Sequence, residues 1–295
     1  MVSVSLGAPR RDYETEITTP LCRVSVRRVG AGGDLDRAAS LLKKLDGRVD
    51  ALGMGGINLN LRAGARRYTM PQGARLAAQV KNTPLVDGGG IKDTVEGDMV
   101  SFIRDKAGWP RRGQVVLIVS ALDRYALASS LERAGCRLII GDAMFALGLP
   151  LPFYSLAAFR SAAFAGMPLL RRLPVSFLYP LGDKQEKIKP RYERYYSQAD
   201  IIAGDFHFLR RHMPADLGGK DIITSTVSVE DVRVLKERGV RWLATASPSF
   251  HGRSLGANVL EALCAALLDK GEPSPALYPG LFAQLGWEPR LERLN

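Results

Sequence analysis

Histidine and cysteine are scarce in this chain, which carries three of each among 295 residues. Cys22, Cys136 and Cys264 are odd in number and far apart. That excludes a disulfide framework and offers no pair at metal-ligand spacing, so the thiols are expected to be small buried hydrophobes in a reducing cytoplasm. His207, His212 and His251 give no ligand pair either, and no metal is expected. P-loop and nucleophile-elbow motifs are missing. No opening stretch joins a basic start, an apolar run and a small-residue cleavage site, so no signal peptide is expected. Long apolar runs are also lacking. Leu149–Tyr179 is rich in Leu, Phe, Ala and Pro, but Arg160, Arg171 and Arg172 interrupt it, and it is expected to be a buried or lid-like helical pair rather than a membrane span.

What is present is core-forming material. Hydrophobic residues make up 46% of the chain, enough for one large domain or two ordinary ones. The net charge of +11 attracts anions. The basic residues are scattered, however. Their densest clusters, such as Arg27-Arg28, Arg66-Arg67, Arg111-Arg112, Arg171-Arg172 and Arg210-Arg211, are only doublets, and no stripe interleaves bases with aromatics. Nucleic acid is therefore not the expected partner. A small anionic molecule is.

Along the chain, the first thirty or so residues alternate as extended, antiparallel segments. From Asp34, the expected cap of a helix over Leu35–Leu45, short apolar runs, small-residue loops and amphipathic helices recur in order. Expected strands include Val49–Leu52, Leu85–Val86, Gln114–Val119, Arg137–Ile140, Asp200–Ala203, Asp221–Ile223 and Arg241–Ala244. Expected helices include Gln72–Val80, Thr94–Asp105, Arg124–Ala134, Val229–Arg238 and Leu255–Leu268. Such alternation implies an α/β fold with predominantly parallel sheets. An eight-fold barrel and a two-domain arrangement both fit the count of units. The antiparallel start and the irregular stretch 149–198 favour the second: an N-terminal α/β substrate domain over 1–112, a doubly wound, Rossmann-like nucleotide-binding domain over 113–270 and a tail over 271–295. Lys184–Arg194 is expected to be a solvated loop and helix.

Ligands of parallel sheets bind beyond the carboxyl ends of the strands, and here those ends carry Gly, Asp, Ser or Thr. Tight turns need such residues in any case, so one loop alone says little. The unit Gln114–Asp142 runs strand, loop, helix, strand, acid. In that layout a dinucleotide's pyrophosphate meets the helix N-terminus and Asp142 holds the ribose. The loop Ser120-Ala121-Leu122-Asp123-Arg124 has no glycine, so Ser120 and Arg124 would stand in; an ordinary crossover with Asp123 as cap fits equally well. Thr224, Thr226, Thr245 and Ser247 complete the expected cofactor edge, for NAD or NADP. Gly30-Ala31-Gly32-Gly33 follows a polar strand and is expected to be a turn. Gly55 and Gly56, with Gly89 and Gly90, could cradle an anionic substrate through their amides, and Arg67 or Arg253 would meet its carboxylate. Lys92 with Asp87, or His207 with Asp205, are the candidates for proton transfer.

Several phrases, among them Val2–Gly7, Asp87-Gly88-Gly89-Gly90-Ile91-Lys92-Asp93-Thr94, Gly141–Gly148, Ala203–Phe208 and Gly252–Asn258, are similar to those of a bacterial family labelled quinate 5-dehydrogenase. The resemblance covers residues 1 to about 270 and implies NAD(P)-dependent oxidation of a ring hydroxyl in the quinate/shikimate class. The Asn-Thr-Asp substrate motif and the glycine-rich loop of shikimate dehydrogenases are missing, so no catalytic pair transfers by motif. The second reading is a two-lobed, non-catalytic binding or sensory module for a small anionic metabolite. A nucleic-acid-associated protein is the third. A homodimer is left open.

Overall fold

Val2-Ser3-Val4-Ser5 shows how the fold is set locally. The computed structural model describes residues 1–174, 177, 188–268 and 273–295. In it β1 (Val2–Ser5) is the central strand of a sheet, not an antiparallel edge. It pairs in parallel with β3 (Arg23–Gly30) and β4 (Leu52–Gly55). Only β2 (Tyr13–Thr18) runs antiparallel, against β3, and β7 (Leu85–Val86) closes the far edge. The five-stranded order is β2-β3-β1-β4-β7. Because side chains alternate across a strand, Val2, Val4, Leu52 and Met54 face one way. They pack with Ala38 and Leu42 of α1 (Leu35–Leu45) and Leu76 of α2 (Pro71–Ala77). Asp34 caps α1 by accepting from the N–H groups of Asp36 and Arg37, worth about 1 kcal/mol.

The opposite face of the same strands presents Ser3, Ser5, Gly53 and Gly55. Their smallness has a cause. A methyl group on Gly53 would lie 2.8 Å from the Asn258 carbonyl, and one on Gly55 2.8 Å from the Asn258 amide. A helix lies directly on this face. The strand expected over Val49–Leu52 accordingly runs later, through Gly53-Met54-Gly55, a segment expected to be loop. Between β4 and α2 the chain adds a hairpin that the sequence pattern did not suggest, β5 (Asn60–Ala63) and β6 (Arg66–Thr69).

After β7 come α3 (Gly89–Asp93) and α4 (Val95–Ala107), then a second sheet. Its strands are β8 (Val115–Ile118), β9 (Arg137–Ile140), β10 (Ile201–Ala203), β11 (Asp221–Thr224) and β12 (Trp242–Thr245). They are parallel, and β15 (Arg290–Arg293) joins antiparallel at the edge, giving the order β15-β12-β11-β10-β8-β9. The apolar runs are continuous because both faces are covered. Val116, Ile118, Ile201, Ala203, Ile223 and Ala244 face α4 and α5 (Tyr125–Arg133). Leu117, Val119, Ile202, Ile222 and Leu243 face the helices of the other side. Those are α6 (Asp142–Leu147), α8 (Glu193–Gln198), α9 (Phe206–His212) and α10 (Val229–Glu237). The helix α7 (Leu156–Leu170) stands over the mouth of β8 and β9. The sheet is doubly wound, as the sequence pattern implied, and the whole is α/β with mostly parallel strands.

The two lobes exchange helices. After β12 a small hairpin, β13 (Ser249–Phe250) with β14 (Arg253–Ser254), leads into α11 (Ala257–Leu267), which packs on β1, β3, β4 and β7 of the first sheet. Conversely α4 packs on α5 and β12 of the second. The tail returns through α12 (Tyr278–Leu285) to β15. The sequence blocks 1–112, 113–270 and 271–295 therefore cut across the spatial lobes. Parts of the apolar stretch and of Lys184–Arg194, residues 175, 176 and 178–187, lie outside the described residues. Among the described residues no helix is long and apolar enough to cross a membrane.

Candidate functional site

Each sheet has one place where the chain reverses its winding direction. In the first it lies between β1 and β4, in the second between β8 and β10. Loops diverge there and leave a crevice at the carboxyl ends of the strands. The two crevices face each other. Arg11 follows β1, Gly56 and Asn58 follow β4, Asp123 and Arg124 follow β8, and Asp205 and His207 follow β10. All line one cavity of about 110 Å³. Asp87 and Lys92, after β7, and Arg253 and Asn258, around β14 and the start of α11, complete it.

One wall is a charge network. The Lys92 ammonium donates to Asp123 at 2.7 Å and to Asn58 at 2.9 Å. Burial pushes the Lys92 pKa down, but Asp123, with help from Asp87, more than reverses this, so Lys92 is held charged. Arg124 is buried and donates to Glu96 and, at 2.7 Å, to the Ser225 hydroxyl. Its other neighbours are the carboxylates of Asp205 at 3.6 Å and Asp123 at 3.7 Å. Against the upward push of burial, Arg124 and Lys92 keep Asp205 ionised. Asp87 is not bonded to Lys92. Its oxygens accept from the N–H groups of Leu59 at 2.6 Å and Gly89 at 2.9 Å.

The opposite end is positive. Arg11 donates to Asp231 at 3.2 Å and lies 3.0 Å from His207 Nδ1. A guanidinium only donates, so Nδ1 accepts and the ring proton sits on Nε2. Burial, reinforced by Arg11, pushes the His207 pKa well down, and the ring is neutral near pH 7. Arg28 bonds Asp12 at 2.7 Å. Arg253 stacks over the Tyr13 ring at 4.6 Å, and its guanidinium has no hydrogen bond or ion pair among the described residues. Burial lowers the pKa values of Arg11 and Arg28, and repulsion from Arg253 lowers both further. Three guanidiniums thus converge, with Asp231 beside Arg11 and Asp12 beside Arg28 as their counter-charges.

Behind the cleft, Glu261 of α11 accepts from Gly90 N–H and from the Tyr278 hydroxyl, each at 3.1 Å. Its second oxygen is buried without a partner. Burial, then the nearby Asp87 carboxylate, raises its pKa to about 7.

The structure therefore brings Lys92, Asp87, Asp205, His207, Asp123, Arg124, Thr226, Gly55, Gly56 and Arg253 to one cavity. It places Arg67, Gly89 and Gly90 in a neighbouring depression that shares Lys92, Asp87 and Asp123 with the cleft. The sequence reading missed Arg11, Tyr13, Arg28, Asn58 and Asn258. Arg11 and Arg28 lie in arginine doublets indistinguishable from surface charge. Only the pairing that sets Tyr13 opposite Arg28 shows where they converge.

The expected dinucleotide edge is corrected by this geometry. Asp142 spends both oxygens on the N–H groups of Ala121 and Leu122, each at 2.8 Å. The loop amides that would hold a pyrophosphate and the acid that would hold a ribose thus satisfy each other. Burial, opposed by these amides, raises the Asp142 pKa to about 6. The Ser120 hydroxyl accepts from Asp205 N–H at 2.9 Å. Thr224 donates to the Gly204 carbonyl, and Thr245 is bonded to Ser247 and Ser254. Ser247 accepts from Leu255 N–H. In this structure these side chains are tied internally.

Fold and site together define a two-lobed α/β protein with a polar cleft between its lobes. The chain belongs to the family described as "Domain of unknown function (DUF8754)", whose model matches residues 90–294, and a companion model, "Domain of unknown function (DUF8753)", matches residues 1–87. No curated protein matches the sequence. Among solved structures it is similar to a glucose-galactose binding protein from Geobacillus stearothermophilus, with 10% identity, 91% of this chain and 86% of that one covered, and a TM-score of 0.35. It is also similar to a periplasmic sugar-binding protein from Pseudomonas fluorescens, with 14% identity, 96% and 88% covered, and a TM-score of 0.37. A periplasmic ribose ABC transporter from Conexibacter woesei gives 8% identity, 88% and 84% covered, and a TM-score of 0.37. These neighbours are sugar-binding proteins and not NAD(P) oxidoreductases of the quinate/shikimate class. The oxidoreductase expectation is corrected at the Asp142 loop, where the acid and the loop amides are already paired with each other.

Proposed function

We propose that this protein is a two-lobed binding module that captures a small, hydroxylated anionic metabolite in the inter-lobe cleft. The observation that carries this reading is Arg253, held over Tyr13 and beside Arg11 and Arg28 with no counter-ion of its own among the described residues. A carboxylate arriving there gains a planar guanidinium fork and relieves the repulsion between like charges. At the other end Asp87, Asp123, Asp205 and Asn58 offer acceptors, which suit hydroxyl donors. The ligand is thus an acid at one end and a polyol at the other. Lys92 and Arg124, fixed by their ion pairs, hold that acceptor wall in place before the ligand arrives.

Thermal-shift and calorimetric titration of the full chain with gluconate and galactonate, against the neutral sugars glucose and galactose, tests it. The aldonates should raise the melting temperature by mass action. The sugars should bind at least tenfold more weakly, and Arg253→Ala should remove most of the difference. Equal binding of acid and sugar, or aldonate binding untouched by Arg253→Ala, would overturn the reading.

A further inference from the structure

A second cavity, of about 260 Å³, lies beyond the ends of β8 and β9, under α6 and α7. Its walls include Leu122, Ala146, Phe153, Phe159, Ala163 and Met167. Among the described residues three polar ones reach it, Ser120, Asp123 and Asp142, and each is already engaged elsewhere. Ser120 bonds Asp205, Asp123 bonds Lys92, and Asp142 bonds two loop amides. Water inside would find few partners, well short of the two to four it needs, and a cavity of this kind favours apolar guests. The mouth is apolar too. Leu147, Leu149 and Leu151 are 37%, 47% and 59% exposed. A cluster of open leucines around an apolar hollow marks a binding surface rather than ordinary exposure.

We propose that this cavity is a ligand site for an alkyl or acyl chain of medium length, separate from the polar cleft and independent of what the cleft binds. At about 30 Å³ for each water-sized unit of condensed volume, the hollow holds a chain of roughly eight carbons. The chain enters past the leucines and leaves its polar end in solvent, because the described lining is almost wholly apolar.

The probes are the neutral n-alkanols from butanol to decanol, which lack the charge that the cleft arginines attract. Each added methylene should tighten calorimetric binding about fourfold until the hollow is full. Ala163→Phe and Ala146→Leu fill the space from two different helices. Either variant that retains the wild-type circular dichroism spectrum should lose the chain-length dependence. Affinity that is flat with chain length, or a gradient that survives both filled variants, would overturn the proposal.

Discussion

Replacing Lys92 with methionine keeps the volume of the stem and removes the ammonium. The lysine and its partner Asp123 are 11% and 6% exposed, so Asp123 would be left as a buried carboxylate without its closest cation. Breaking one side of a buried pair costs about 3–5 kcal/mol. Here Arg124 lies 3.7 Å from the other Asp123 oxygen and offsets part of that, which brings the expected loss to about 2–3 kcal/mol. The loss should appear as a lower urea midpoint with little change in slope. Adding Asp123→Asn to Lys92→Met removes the stranded charge and should return the midpoint most of the way, a coupling of about 1.5 kcal/mol or more in a double-mutant cycle. A cost below about 0.5 kcal/mol for Lys92→Met, or simple additivity of the two changes, would mean that the pair is solvated and the wall is not preorganised.

Three further outcomes are expected. Glu261 has its pKa raised from the ordinary 4.5 to about 7, so its contribution to stability is present below pH 4.5 and lost as pH rises through 7; Glu261→Gln should therefore gain melting temperature relative to wild type at pH 8 but not at pH 5. His212 is held down to about 4, by burial first, and its contribution should disappear as pH falls from about 6.5 to 4, a slope that His212→Gln should reduce in urea midpoints measured across that range. Gly53→Ala would drive a methyl group into the Asn258 carbonyl and should cost about 1–3 kcal/mol in the same assay, with loss of cleft binding because Asn258 lines the cleft.

Much of this architecture can be read from the chain, and the limits have physical causes. Short buried strands ending in Gly, Asp or Thr predict both the parallel sheets and the edge at which Asp205, His207, Lys92 and Gly55 gather, because period and turn chemistry are local properties. The Asp34 cap is local as well. By contrast, Val2–Ser5 alternates like a half-exposed strand, yet Ser3 is fully buried. The polar side faces a helix more than 250 residues away, to which Ser3 is tied by Asn258 at 2.7 Å. No local pattern encodes that contact. Asp142 is the mirror case. Its spacing from the β8 loop suits a ribose ligand, but two backbone amides claim it first, and spacing cannot reveal which partner is nearer.

The exchange of helices between the lobes also bears on how the protein comes to be folded during its synthesis. Residues 1–87 can form strands and cover one side of their sheet with α1 and α2, but the other side stays bare until α11 has been made. For as long as ribosomes take to add about 170 further residues, seconds to tens of seconds at typical elongation rates, the nascent first sheet presents Ser3, Ser5, Gly53 and Gly55 to water. The same face carries Ile17, Val24, Val26 and Val86 towards the strands' flanks, apolar surface that only the late helix covers. Serine and glycine, set by the close approach of that helix, keep the centre of the waiting surface polar and small.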